Sequence, residues 1–326
     1  MANDVLETTG TLLDNPKFVE IDDTRVLQIA KEWGDVEFKL PTWDFPVYLP
    51  GKTPEVIDFF FLNNSINFAF TDFQTKEKFV SFYKGKPWRG ALGMTACLRR
   101  AVDGGIPILE GEFLKNISKE QMKKIMKGET EIPMLKERYE IFREVGEVLT
   151  QKYDGHFYNL VAASGNRLFN GGKGMVERLV DDFPSFDDSV EHNGKRIVFN
   201  KRAQLACGTA YERFEGELPL EDVEEITIFA DYVLPKGLRD LGILCYEDSL
   251  AKRVDNQELI YAGSQEELEI RASTIHAADY LTKAINLYRD DGEGEAINAL
   301  HMDAKLWTES RGKDGTHHHL TETIAY

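Results

Sequence analysis

Apolar residues along this chain recur mostly at helical spacing. In "MLKERYEIFREVGEVLTQKY" (134–153), Leu135, Tyr139, Phe142, Val145, Leu149 and Tyr153 fall three and four apart, which predicts an amphipathic helix. In "QEELEIRASTIHAADYLTKAINLYRD" (265–290), Leu268, Ala272, Ile275, Ala278, Leu281, Ile285 and Tyr288 repeat the pattern. "ISKEQMKKIM" opens with Ser118 and Gln121 at capping-box spacing. "LRRAVDGGIPI" predicts a helix stopped by Gly104 and Gly105, with Pro107 beyond. Extended candidates are few; "KRIVFN" after His192-Asn193-Gly194 is the clearest and predicts a short hairpin. No repeat, low-complexity segment or linker interrupts the pattern. The expectation is a single, mainly α-helical domain over residues 1–326 with a few short strands.

One stretch does not fit so simply. "ITIFADYVLPKGLRDLG" (226–242) runs apolar residues straight into Asp231, then Tyr232, with Pro235 four residues after the acid. A buried carboxylate is costly unless paired or hydrogen-bonded. As a plain N-cap, Asp231 would start a helix near Pro235, but proline prefers the first helical position and here it lies too far on. The alternative is a carboxylate held by apolar neighbours beside an aromatic ring. That arrangement fits cleavage of a ribosyl C–N bond, where positive, oxocarbenium-like charge develops on the sugar.

Composition narrows the class of partner. The 326 residues carry a formal charge of −17, which opposes binding to DNA, RNA or anionic membrane but leaves room for a small cationic pocket. The three cysteines, Cys97, Cys207 and Cys245, are odd in number and form no CxxC pair, against a disulfide framework or a cysteine zinc site. "MANDVLETTG" has neither the basic start nor the apolar core of a signal peptide, and no apolar run approaches a membrane span. A soluble, cytoplasmic protein is expected.

Other motifs weigh differently. "NGGKGM" lacks the GxxxxGK[ST] pattern of a phosphate loop and is expected to be a surface loop. His317, His318 and His319 are adjacent, without the spacing of a metal grip; one of them as a phosphate or hydroxyl ligand is the better functional option. Lys201 and Arg202 sit at a helix start, where cations oppose the helix dipole, so two in succession point to an anionic partner or to a solvated basic pair. Glu267 and Arg271 have the i,i+4 spacing of a routine helix-surface pair, with Glu269 on another face. Asp303 lies four residues before Trp307, which on a helix stacks a carboxylate over an indole; a core tryptophan beside a solvated aspartate is the commoner arrangement.

Taken together, these segments resemble the queuosine salvage proteins, a family of queuosine 5′-phosphate N-glycosylases/hydrolases. The resemblance is carried by "NNSINFAFTD" (63–72), "WRGALGMTACLRRAVDGGIPI" (88–108), "FPSFDD" (183–188), "GKRIVFNKRAQLACGTAY" (194–211), "ITIFADYVLPKGLRDLGIL" (226–244), "EELEIRA" (266–272) and the closing "DAKLW…HHHLTETIAY". It implies a helical fold similar to the helix-hairpin-helix DNA glycosylases. It also implies hydrolysis of queuosine 5′-phosphate to queuine and ribose 5-phosphate for reuse in tRNA modification, with no cofactor and no metal. Asp231 matches the catalytic aspartate of the A-D-Y-x-x-P element, and Tyr232 follows it at the substrate. Lys201 matches the lysine of K-R-A-Q and is expected at the ribose-phosphate end. Asn67, Phe68 and Phe70 match N-F-x-F, a wall for the flat base. Asp303 and Trp307 match D-x-x-L-W, where the carboxylate would accept N–H bonds from the 7-deazaguanine edge, and His319 matches a histidine near the C-terminus. The partner expected is a small-molecule substrate rather than nucleic acid or membrane. Two rivals remain: a DNA base-excision glycosylase, opposed by the acidic charge, and a non-catalytic binding protein for a modified nucleotide.

Overall fold

The computed structural model describes residues 3–290, 295–310 and 315–326. Among them are fourteen α-helices and six short strands, the strands in three antiparallel pairs. The protein is mainly α.

The periodic segments form the expected helices. Leu135–Lys152 buries Ile141, Phe142, Val145 and Leu149, and crosses the Gly111–Asn116 helix so closely that a Cβ at Gly146 would fall 2.6 Å from the Gly111 carbonyl oxygen. Ser118 and Gln121 form both bonds of the capping box. Ala91–Asp103 ends at Gly104 and Gly105. The hairpin pairs Ser189–His192 with Lys195–Val198 around Asn193 and Gly194, both at positive φ, as a tight two-residue turn requires. Two strand pairs are additional to that expectation: Val19–Ile21 with Leu244–Tyr246, and Val80–Tyr83 with Lys86–Arg89.

Apolar side chains gather into two clusters. One is built on Pro54–Ser65, Ala91–Asp103 and Leu135–Lys152; the other surrounds the 26-residue helix Gln265–Asp290. The segment 226–231 runs between them, and its residues 228–230 alternate sides. Phe229 packs into the first cluster, whereas Ile228 and Ala230 pack into the second. Side chains of an extended chain point to opposite sides in turn, so an unbroken apolar run is what a segment sandwiched between two cores needs.

The Glu267–Arg271 pair is not on the surface, contrary to the expectation from spacing. Both residues are 3% exposed. The i,i+4 pattern fixes which side chains meet but not which way that helix face looks. Here it faces inward, and Arg271 donates to both oxygens of Asp188, at 2.9 and 2.6 Å. Its guanidinium lies over the rings of Phe199 and Tyr326. Glu269 is also buried and accepts from the backbone N–H groups of Lys17, Phe18 and Val19, tying the first strand to the long helix. Breaking a buried pair from one side leaves an uncompensated charge. Arg271→Met should therefore lower unfolding free energy by about 3–5 kcal/mol in urea denaturation, with partial recovery in the Arg271→Met/Asp188→Leu double variant.

Candidate active site

The helix Lys201–Phe214 supplies one wall of a cavity of about 470 Å³ between the two clusters. Lys201, Leu205, Thr209 and Glu212 all line it, spaced as one face of that helix. Asn67, Phe70, Asp231, Tyr232, Asp303 and Trp307 line it as well. Seven of the nine residues singled out from the sequence thus meet in one place.

Phe68 and His319 lie behind the wall. Phe68 is fully buried, with the guanidiniums of Arg138 and Arg202 over its ring at 4.2 and 5.3 Å. Arg138 also donates to the carbonyls of Ile66, Phe68 and Ala69, and so fixes the segment that presents Asn67 and Phe70. His319 contacts the hydroxyl of Tyr326 through Nε2 at 3.1 Å, and it is the Tyr326 side that faces the cavity. His318 packs against Tyr232, with ring centroids 4.5 Å apart. Arg202 does not line the cavity; it donates to the carbonyls of Ser65 and Ser185. The "NGGKGM" loop turns its N–H groups inward, since Asn170 and Gly174 both donate to Glu177. Among the described residues no group of three or more His, Cys, Asp or Glu side chains is placed to hold a metal ion.

Asp231 ends the segment 226–231 and starts a helix at once. Its Oδ1 accepts from the backbone N–H groups of Val233 (2.7 Å) and Leu234 (3.0 Å), at the first turn of Val233–Asp240. The helix begins two residues before Pro235, which removes the spacing objection to a cap. Asp231 is both cap and cavity acid. Its pKa is raised by burial, which outweighs the opposing Lys201 ammonium, these two N–H groups and Lys78.

Asp303 receives less support. It accepts one N–H bond, from Phe229 at 3.0 Å, and burial together with the charge of Asp231 raises its pKa to about 8. The two carboxyls are divided by their support: burial raises both, and Asp231 has more to oppose it. Lys201 is 4% exposed and is pushed down to about 8 by burial, against the attraction of Asp231 and Asp303. It stands among the acids, with its Nζ 3.5 Å from the Asn67 carbonyl oxygen. The exposed Lys78 and Arg89 line the mouth, carried by the Val80–Tyr83/Lys86–Arg89 hairpin and the residues leading into it.

Residues 48–326 match the family model described as queuosine salvage protein. The chain is 33% identical over 326 residues to a protein of Sphaerobacter thermophilus, covering 99% of this chain and 97% of that one. It is 33% identical over 286 residues to a Mus musculus protein (85% and 83% covered) and 30% identical over 339 residues to one of Bos taurus (98% of each). All three bear the name queuosine 5′-phosphate N-glycosylase/hydrolase. The chain belongs to the queuosine salvage protein family.

Several cavity residues of this family member carry no signal in the sequence motifs. Trp43, Phe45 and Tyr48 come from an irregular stretch, and Trp43 has φ of 56°, a left-handed backbone that a bulky residue rarely adopts. Glu212 could have been found by extending the face of Lys201 along its helix.

The division of the two aspartates has a direct spectroscopic consequence. The protonated-carboxyl C=O band that disappears in Asp303→Asn should fade in the parent protein as pH rises through about 8. Asp231→Asn removes a neighbouring negative charge and should move that midpoint down. Infrared difference titration reads both; no such component at pH 7 would mean that Asp303 is ionised there.

Proposed function

We propose that this chain hydrolyses the N-glycosidic bond of queuosine 5′-phosphate, releasing queuine and ribose 5-phosphate. The names of its relatives and the division of the two cavity aspartates support this reading, and the second observation carries the chemistry.

The ribose lies over Asp231. As the C1′–N bond lengthens, positive charge grows on C1′ and the ring oxygen, and the carboxylate opposes it at short range in a dry site. Oδ1 is engaged by two backbone N–H groups, so Oδ2 serves the reacting centre. Water adds to C1′ and gives its proton to Asp231. The electron pair of the broken bond leaves with the heterocycle. A 7-deazapurine has carbon where other purines carry N7, so that pair must be neutralised at another edge of the base. Asp303, with a proton near neutral pH, supplies it. Lys201 favours the charged form of Asp231 beside it. Asn67, Phe70 and Trp307 form walls for the flat ring.

The mouth suits the 5′-phosphate. Lys78 is felt by Asp231 and, with Arg89, provides positive charge on the ribose side. A cavity of about 470 Å³ is of mononucleotide size, and an overall charge of −17 disfavours a polyanionic tRNA. Among the described residues no helix is long and apolar enough to cross a membrane.

Incubation with queuosine 5′-phosphate, with free base followed by chromatography, tests the reading. Release of queuine is expected; substrate bound but left intact would make the chain a binding module. Asp231→Asn should cut turnover by about 10³-fold or more while retaining affinity for queuine. A variant turning over near the parent rate would remove this carboxylate from the mechanism. The Lys78→Ala/Arg89→Ala pair should lose roughly ten-fold in kcat/KM on the 5′-phosphate, the size of two exposed charge contacts, and less on the bare nucleoside. Equal losses on both would move the phosphate elsewhere.

A further inference from the structure

Glu212 is a carboxyl without a task in the reaction just described. It is 5% exposed, lines the cavity, and accepts a hydrogen bond from the indole Nε1 of Trp43 at 2.6 Å. It shares a helix face with Lys201, eleven residues earlier, so the two backbones stand roughly 16 Å apart along the axis. Asp303 lies between them electrostatically: Lys201 feels Asp303 and Asp231, whereas among carboxylates Glu212 feels Asp303 alone. That helix face therefore carries an ammonium at one end and, bonded to Trp43, a carboxyl at the other, while the exposed Lys78 and Arg89 also line the cavity.

That arrangement is a gradient of charge, cationic at one end and carboxylic at the other. Queuosine 5′-phosphate has the opposite gradient. Its phosphate is anionic, its ribose and 7-deazaguanine come next, and the arm on C7 carries a secondary amine that is protonated at neutral pH. Resting on the proposed reaction, we infer that Glu212 is the specificity-determining residue of the cavity and receives the ammonium of that arm.

The surroundings fit a cation rather than a neutral ring. Trp43 and Trp307 stand with ring centroids 6.1 Å apart, and Tyr48 lies 5.6 Å from Trp43, so aromatic faces and edges enclose the position. Aromatic faces attract cations most where water is excluded. Without a ligand, burial and the neighbouring Asp303 drive the Glu212 carboxyl toward its neutral form. An ammonium removes the reason for that proton, so binding of the amine should release one. The indole bond from Trp43, at a residue with left-handed backbone, holds the carboxyl.

The test is Glu212→Gln, which preserves shape and can still accept the indole hydrogen bond. Two substrates are compared, queuosine 5′-phosphate and 7-deazaguanosine 5′-phosphate, which lacks the arm. The parent protein should prefer the first, and Glu212→Gln should reduce that preference in kcat/KM by roughly 10- to 100-fold, mainly through KM, the size of a lost charged hydrogen bond. An unchanged preference would overturn the assignment. Equilibrium binding of the free bases, queuine against 7-deazaguanine, is read alongside by tryptophan fluorescence. If the parent hydrolyses neither nucleotide, the proposed reaction fails, and the base comparison still decides Glu212. Tighter binding of queuine that is lost in Glu212→Gln supports the assignment; equal binding of both bases by the parent overturns it. Should Glu212→Gln not fold, Trp43→Phe, which frees the carboxyl from its anchor, gives the same comparison. A preference for the armed ligand undiminished in that variant counts against the assignment.

Discussion

The buried contact between Arg271 and Asp188 is the joint on which the site depends. Asp188 ends the loop before the hairpin, and its Oδ2, besides taking one guanidinium bond, accepts the backbone N–H of Lys201 at 3.1 Å. The same guanidinium lies between Phe199, just before the Lys201 helix, and Tyr326, whose ring faces the cavity. One ion pair therefore fixes the long helix, the start of the helix carrying Lys201, and the wall formed by Tyr326. Burying two charges is expensive, and hydrophobic replacements of such pairs are often as stable. Its benefit is positional: it determines where Lys201 stands relative to Asp231.

That position governs the electrostatics of the cavity. Three carboxyls, Asp231, Asp303 and Glu212, share a space with one buried ammonium. Like charges crowded together disfavour one another's ionisation, so support must be rationed. Asp231 receives most of it, from two backbone N–H groups and Lys201, which offset part of the effect of burial. Asp303 and Glu212 receive one hydrogen bond each and stay near their neutral forms. The same residue type is supported unequally because the backbone around each differs.

Much of this was legible in the sequence, and unevenly so. The helices of 135–152 and 265–290 follow from periodicity because each buries one continuous stripe. Asp231 drew notice because an apolar run ended in a charge, a local conflict of the kind that collects at functional sites. Glu267 and Arg271 were misjudged because spacing cannot tell an inward face from an outward one. Trp43 and Tyr48 escaped because an irregular stretch has no period from which to infer a side. Arg89 escaped for a related reason, since a four-residue hairpin strand is too short to show alternation, and Lys78 lies outside both strands. Phe68 illustrates the opposite limit: it sits inside a recognisable N-F-x-F element, yet its ring is enclosed by two guanidiniums while its neighbours Asn67 and Phe70 reach the cavity.

The segment ending at Asp231 shows why such a site tolerates an acid at all. Phe229 and Ala230 are held from opposite sides by two apolar clusters, and Phe229 also donates its N–H to Asp303. A segment packed in this way is ordered by its apolar contacts, so the cost of placing the next residue is met by packing. Helix formation immediately afterwards supplies two oriented N–H groups to the carboxylate. Asp231 is therefore fixed by apolar contacts before it and by hydrogen bonds after it. Preorganisation of this kind lets a fixed charge act on a developing cation without reorganising during the reaction. Cap and cavity positions do not compete at this residue, because the bonds that make it a cap also favour its charged form.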